Sequence, residues 1–220
     1  MPGALIGGDA VVHTAALHAP HVGILPDAEF ERINVHATSR LLELAYDAGV
    51  SRFVLTSTTA LYGGAATPED RAGWVDEEMV PSPRTIYHRT KLAAEEEVRK
   101  AAARGRFSAT VLRMSRCFPE RELLMAVYRL HRGIDARDVA SVHELALNLS
   151  EPGYRIFVLS APTPFEPSDC QELAVDAPSV LQRRAPFLVT EFEQRGWALP
   201  RKIDRVYSPG ALCALGWTPR

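Results

Sequence analysis

The chain has 220 residues and a mass of 24.2 kDa, and its 25 Lys and Arg against 27 Asp and Glu leave a formal net charge of −2. Apolar residues make up 46% and charged residues 24%, which is enough apolar material to offset chain entropy and excludes a disordered chain. A pI near 6.4 excludes a basic nucleic-acid binder, and no apolar run reaches the roughly 18 residues of a bilayer span.

Ala10–Ala16 is short and rich in β-branched residues, without alternation, and reads as a strand buried on both faces. Asp27–Ala48 follows with helical spacing of Phe30, Ile33, Val35, Leu41, Leu42, Leu44 and Ala45, and Gly49 is a natural stop. Arg52–Ser57 is a second buried strand. A polar loop runs from about Gly63 to Pro83. A long helix spans Thr85 to Ala103, and Ala109–Met114 is a third strand. Strand and helix alternate, the pattern of a doubly wound parallel α/β sheet. Beyond Cys117 the pattern becomes irregular: helices at Glu120–Leu130 and Asp135–Leu149, a strand at Arg155–Ser160, then short helices at Ala177–Arg184, Phe187–Arg195 and Gly210–Leu215. These describe a smaller lobe appended to the sheet.

Cys117, Cys170 and Cys213 are odd in number and widely spaced, which is neither a disulfide framework nor a metal set, and a reducing compartment is the default. Met1–Asp9 lacks the basic start and apolar core of a secretory leader, so the expected location is cytoplasmic. His13, His18 and His21 are close in sequence but do not make a zinc set, and no metal is expected. Cys117 reads as a small packing residue at a strand end. Arg129, Arg132 and Arg137 could grip a diphosphate or form a solvated helix face. Glu95-Glu96-Glu97 reads as exposed helix surface.

In an open α/β sheet ligands sit beyond the carboxyl ends of the strands. There the second strand ends in the hydroxyl cluster Thr56-Ser57-Thr58-Thr59, and the following helix carries Tyr87 and Lys91, four apart and so on one face. Phenol ionises near pH 10 and is a poor base at neutral pH; a neighbouring ammonium favours the phenolate. A lowering of about 3 units is worth roughly 4 kcal/mol. With Thr58 holding a substrate oxygen against the phenol, this triad suits moving a proton on or off an alcohol while a hydride leaves or joins the same carbon.

At these residues the sequence resembles the NAD-dependent epimerase/dehydratase group of extended short-chain dehydrogenase/reductases, the UDP-glucose 4-epimerase type in particular. The resemblance rests on Asp9–Ala16; Asn34–Thr38 with Leu41-Leu42; Gly49–Val54; Thr56–Gly63; Tyr87-x-x-x-Lys91; Val111–Arg113; Asp138–Ala140; and Leu215–Pro219. It implies Tyr87 as catalytic acid/base, Lys91 as the group that lowers its pKa and bonds the nicotinamide ribose, and Thr58 as the catalytic hydroxyl. It further implies an NAD or NADP site lined by Ala15, Ala16, Ser57, Met114 and Cys117, and substrate contacts from Thr59 and Arg116. The family usually reads Leu-Arg-Pro-x-Asn after the third visible strand; here Leu112–Arg116 ends in Arg116, and His88 stands where a small residue is usual.

The family also opens with a strand, a Gly-x-x-Gly-x-x-Gly turn and a helix whose N-terminus binds pyrophosphate. No such glycine spacing occurs in the 220 residues. The expectation is therefore an incomplete Rossmann sheet, with residues 1–118 as a partial NAD(P)-binding domain lacking the first three strands. Residues 119–220 would form a substrate lobe, with 134–160 returning to the sheet. Ala10–Ala16 would then be an apolar edge strand, which invites pairing with a second copy. Three functions stay open: a sugar-nucleotide epimerase or dehydratase, a ketone or aldehyde reductase of the same fold, and a truncated, catalytically silent chain. The partner expected is a small molecule such as a nucleotide sugar, with no nucleic acid and no membrane.

Overall fold

A computed structural model describes residues 5–105 and 108–219; Met1–Ala4, part of the opening segment read for a leader, lie outside them. In chain order the elements are β1 (Ala10–His13), α1 (Asp27–Phe30), α2 (Ala37–Asp47), β2 (Arg52–Thr58), β3 (Gly73–Val75) and α3 (Ile86–Ala102). There follow β4 (Ser108–Met114), α4 (Glu122–His131), α5 (Ala136–Asn148), β5 (Gly153–Leu159), α6 (Cys170–Leu173), α7 (Ala177–Arg184), α8 (Pro186–Gln194), β6 (Arg205–Tyr207) and α9 (Gly210–Ala214). Between α1 and α2 the helix widens into a π-helical stretch, Glu31–His36. No helix among the described residues is long and apolar enough to cross a membrane.

The chain divides into two compact units. The first comprises Met1–Gly63, Pro81–Met114 and Ala140–Phe157; the second comprises Gly64–Val80, Ser115–Val139 and Val158–Arg220.

The first unit is built on a sheet of order β1-β2-β4-β5. β1 pairs in parallel with β2, and β2 with β4, in the register Thr58↔Met114 at the strand ends. Side chains alternate across the sheet. Phe53, Leu55, Ala109 and Val111 point to one face and pack against Leu42 and Ala45 of α2 and Ala94, Val98, Ala101 and Ala102 of α3. Thr56 points to the other, where its Oγ1 lies 2.7 Å from Nε2 of His143 on α5. Helices thus cover both faces, as long runs of apolar strand residues require. At the end of α2, Gly49 adopts φ 81°, and Val50 N–H bonds back to Ala45 O at 3.0 Å, an αL stop that a glycine makes without strain.

β1 is shorter than the sequence pattern predicts, and it is not buried on both faces. It pairs over four residues only, at an edge of the sheet, and Val12 is 42% exposed. Beyond His13 the backbone leaves the ladder, and Leu17 instead bonds through N–H (2.7 Å) and C=O (3.1 Å) to the side-chain amide of Asn34.

The second unit has its own core, in which Leu130, Phe165, Leu173, Val180, Leu181, Phe192, Ile203 and Val206 pack together. The expected loop of 63–83 contains β3, which pairs in parallel with β6. A helical turn at 167–173 also lies where no helix is predicted; Pro167 starts it and an Asp169–Glu166 bond braces it.

Candidate active site

β2 ends in Thr58, whose backbone is still extended while its Oγ1 accepts from Ala60 N–H at 3.1 Å, capping a short 3₁₀ turn over Thr59–Tyr62. Gly63 closes that turn at φ 51°, and a Cβ there would lie 2.0 Å from the Ser82 carbonyl oxygen, so only glycine fits. The chain returns at Thr85, which caps α3 by accepting from His88 N–H at 3.3 Å. These two caps place Tyr87 in the first turn of α3, near enough to the Thr58 hydroxyl for the two to interact.

Tyr87 is 8% exposed and packs with Phe30 and Ile86. Its ring neighbours are His18, 6.2 Å between centroids, and His88, 5.9 Å and edge-on. Burial raises the pKa of the phenol, and the nearby Thr58 hydroxyl only partly opposes this. The expectation of a phenol lowered by Lys91 therefore does not hold for the protein alone. Desolvation dominates, and the Lys91 ammonium is directed to the sheet, where Nζ donates to Thr56 O at 2.8 Å. Lys91 is 3% exposed; burial brings its pKa down to about 8 against the pull of the Glu95 charge.

One turn beyond Lys91 the run of three glutamates is not a solvated face throughout. Glu95 is 2% exposed and forms an ion pair with Arg113 of β4, 2.8 Å from Nη2 to Oε2. Burial disfavours the Arg113 charge, yet the Glu95 carboxylate holds the guanidinium above its usual pKa. Ser57 donates to Glu95 at 2.5 Å, and Arg113 Nη1 donates to the Tyr62 hydroxyl at 3.0 Å. The spacing Tyr87, Lys91, Glu95 repeats every fourth residue. That was the signal for one buried face, and the glutamate run concealed it.

The other predicted residues fall as follows. Ser57 is buried with its proton committed to Glu95. Thr59 is buried and donates to Met114 O at 3.3 Å, which ties the ends of β2 and β4 together. Ala15 is exposed and Ala16 half-buried on the segment after β1. Arg116 and Cys117 belong to the second unit. There Arg116 is exposed and paired with Glu120, and burial, with Asp135 beside it, raises the Cys117 thiol. Arg129 and Arg137 both engage Asp135, at 2.8 and 3.0 Å, so neither offers a free guanidinium.

Two residues to which the sequence assigned no role in the site organise the surroundings. Asn34, in the π-helical stretch, holds the Leu17 backbone and donates to Thr90 Oγ1 at 3.1 Å. His13 Nε2 lies 2.8 Å from Thr38 Oγ1, whose single proton goes to Asn34 O. His13 is therefore the donor, a neutral imidazole protonated at Nε2. Burial first, then the Lys91 charge, brings its pKa down to about 4. Among the described residues no group of three or more His, Cys, Asp or Glu is placed to hold a metal ion.

A sheet of parallel strands sheathed by helices, with polar groups gathered where the strands end, is a Rossmann-like α/β fold. The sequence profile of the NAD dependent epimerase/dehydratase family matches residues 4–131, and the chain belongs to that family. The dTDP-D-glucose 4,6-dehydratase of Mus musculus is 26% identical over 244 aligned positions, which cover 96% of this chain and 63% of the mouse protein. The chain thus spans less than two thirds of that relative. Among solved structures, MoeE5 in complex with UDP-glucose and NAD superposes with a TM-score of 0.66 at 24% identity, covering 100% of this chain and 76% of MoeE5. The UDP-Glc/GlcNAc 4-epimerase from Campylobacter jejuni gives 0.63 at 20% identity, covering 96% and 72%. At these identities the structures speak for the fold.

Proposed function

We propose that this chain carries the proton-transfer site of an NAD(P)-dependent sugar-nucleotide epimerase or dehydratase. The observation behind the reading is buried Lys91 one turn beyond Tyr87 on α3, with the Thr58 hydroxyl near the phenol. Tyr87 acts as the acid/base: its phenolic oxygen takes the proton of a substrate hydroxyl as the carbon bearing it is oxidised, and returns it on reduction. Thr58 holds the same substrate oxygen against the phenol. Lys91 supplies the positive charge that favours the phenolate when the proton arrives from substrate.

A bound nicotinamide dinucleotide supplies the hydride acceptor and donor. The residues present fit its ribose end. Lys91 has three N–H donors and one is committed to Thr56 O, leaving two whose chemistry suits a ribose diol. Ala15, Ala16 and Met114 are the remaining candidates of the first unit. A glycine-rich turn for the pyrophosphate is not among the 220 residues.

Tyr87→Phe keeps the ring and removes the proton carrier. Turnover of dTDP-glucose or UDP-glucose with NAD is expected to fall by about 10²–10⁴-fold, with an unchanged far-UV spectrum. Equal turnover by the variant overturns the reading, as does a folded wild-type chain that turns over neither substrate. A second reading, a ketone or aldehyde reductase, is favoured by Arg116 where the resemblance expects asparagine. Oxidation of NADPH by simple carbonyls, indifferent to added UDP-sugars, identifies it.

A further inference from the structure

Lys91 keeps its charge in surroundings that mostly oppose it. The residue is 3% exposed, and its ammonium donates to an uncharged acceptor, the Thr56 carbonyl. His13 of β1 and His18 beyond it both feel the lysine charge, which helps to hold them neutral. Tyr87, one turn back on α3, is a buried phenol that stays protonated. Glu95, one turn forward, is the anion that favours the ammonium. The proton-transfer chemistry makes no direct use of Glu95.

The Glu95 carboxylate is braced from two strands. Ser57 of β2 donates to Oε1 at 2.5 Å, and Arg113 of β4 donates from Nε to both oxygens at 3.2 Å and from Nη2 to Oε2 at 2.8 Å. Ser57 and Arg113 stand opposite each other in the β2–β4 register. Two successive turns of α3 thus dock on consecutive residues of β2, Lys91 on the Thr56 carbonyl and Glu95 on the Ser57 hydroxyl. Side chains four apart on a helix have Cβ atoms about 5–6 Å from each other. An opposite charge at such range shifts a pKa by about 1–3 units. The pair with Arg113 is neutral as a whole, but its negative end is the one on the helix that carries Lys91. A buried ion pair gains little over apolar residues of the same volume, so stability alone does not account for the arrangement. Glu96 and Glu97, by contrast, engage Arg99 and Lys100 on the solvated side of α3, where water screens them.

We propose that Glu95 is a positioning residue: its carboxylate, fixed by Arg113 and Ser57, keeps the Lys91 ammonium charged at the end of β2. The inference rests on the proton-transfer reading, in which Lys91 is the cation beside Tyr87. Its test reads the lysine itself. The chain has three lysines, Lys91, Lys100 and Lys202, so labelling lysine with carbon-13 at Cε gives a short NMR spectrum, in which the Lys91 signal is the one that Lys91→Met removes. Titration of the full chain is expected to place the Lys91 midpoint at about 8. Glu95→Gln lowers that midpoint by about one unit or more, a change that a merely structural ion pair would not produce. The double variant, Glu95→Gln with Arg113→Met, strands no buried charge; it moves the midpoint in the same direction and carries the test if the single variant fails to fold. Glu96→Gln, on the solvated side of the helix, leaves the midpoint in place. A midpoint that neither Glu95 variant moves, or that Glu96→Gln moves as far, overturns the proposal. Turnover separates this inference from the reading beneath it: where Lys91 serves the chemistry, the alkaline loss of turnover moves down with the lysine. A lysine that moves while Tyr87→Phe turns over like wild type refutes the proton-transfer reading and leaves the hold of Glu95 on Lys91 standing.

Discussion

Lys91 is the group whose titration should be most visible in the stability of the protein. The unfolded chain holds its proton to about pH 10.5, and the folded chain to about 8. Those 2.5 units, at 1.36 kcal/mol each, amount to roughly 3.4 kcal/mol that the native state forgoes to keep an ammonium buried at neutral pH. Between the two values the unfolded state binds more protons, so stability rises with pH there; below pH 8 both states are charged and the full penalty applies. Lys91→Met keeps the length of the side chain and drops the charge. Tyr87 and the cysteines, whose raised pKa values make stability fall at alkaline pH, are common to both proteins and cancel in the difference. The stability of wild type minus variant, from urea titrations, is therefore expected to climb by about 2.5 kcal/mol between pH 7 and pH 10. Parallel curves over that interval would refute the argument that burial governs this lysine.

The Glu95–Arg113 pair is expected to behave as one unit. Glu95→Gln or Arg113→Met alone should cost about 3–5 kcal/mol by stranding a buried charge, and the double variant distinctly less than the sum, measured by a double-mutant cycle in urea. Acid should act through histidine: His13 and His131, both lowered to about 4 chiefly by burial, stay neutral while their unfolded counterparts charge below pH 6.5. Stability is then lost as pH falls from 6.5 towards 4, and nitrogen-15 NMR at pH 5.5 should still find His13 neutral and protonated at Nε2. Asn34→Ala should cost about 2–3 kcal/mol by leaving the Leu17 backbone unpaired, and amide exchange at Leu17 should accelerate selectively.

What could be read in advance depended on how locally each feature is encoded. β2 and β4 were legible because unbroken apolar runs with Thr and Val admit few other structures. The bounds of α7 follow from Asp176, whose side chain accepts from Ser179 N–H, and from the proline in the first turn. The β3–β6 pairing was not legible: three residues carry no usable periodicity, and the partners lie far apart in the chain. The placement of Tyr87 and Lys91 one turn apart on α3 was legible by spacing, but the direction of the Tyr87 pKa was not. The counteracting quantity, desolvation by Phe30 and Ile86, belongs to the tertiary structure. The buried role of Glu95 was hidden for the same reason, because its partner sits on a strand that no helix pattern can reveal.

The π-helical stretch at Glu31–His36 has an angular consequence. Each residue of a helix turns the outward direction by about 100°, and a wide turn adds a residue without adding a hydrogen-bonded repeat. The faces on its two sides are thereby out of phase. Leu42 and Ala45 address the sheet core, while Asn34 addresses Leu17 and Thr90. Deleting one residue within the stretch would restore an ordinary helix of nearly unaltered content, yet it would turn Asn34 or the α2 core face away from its partner. The helix would read as normal by circular dichroism, and the fault would lie only in its clocking.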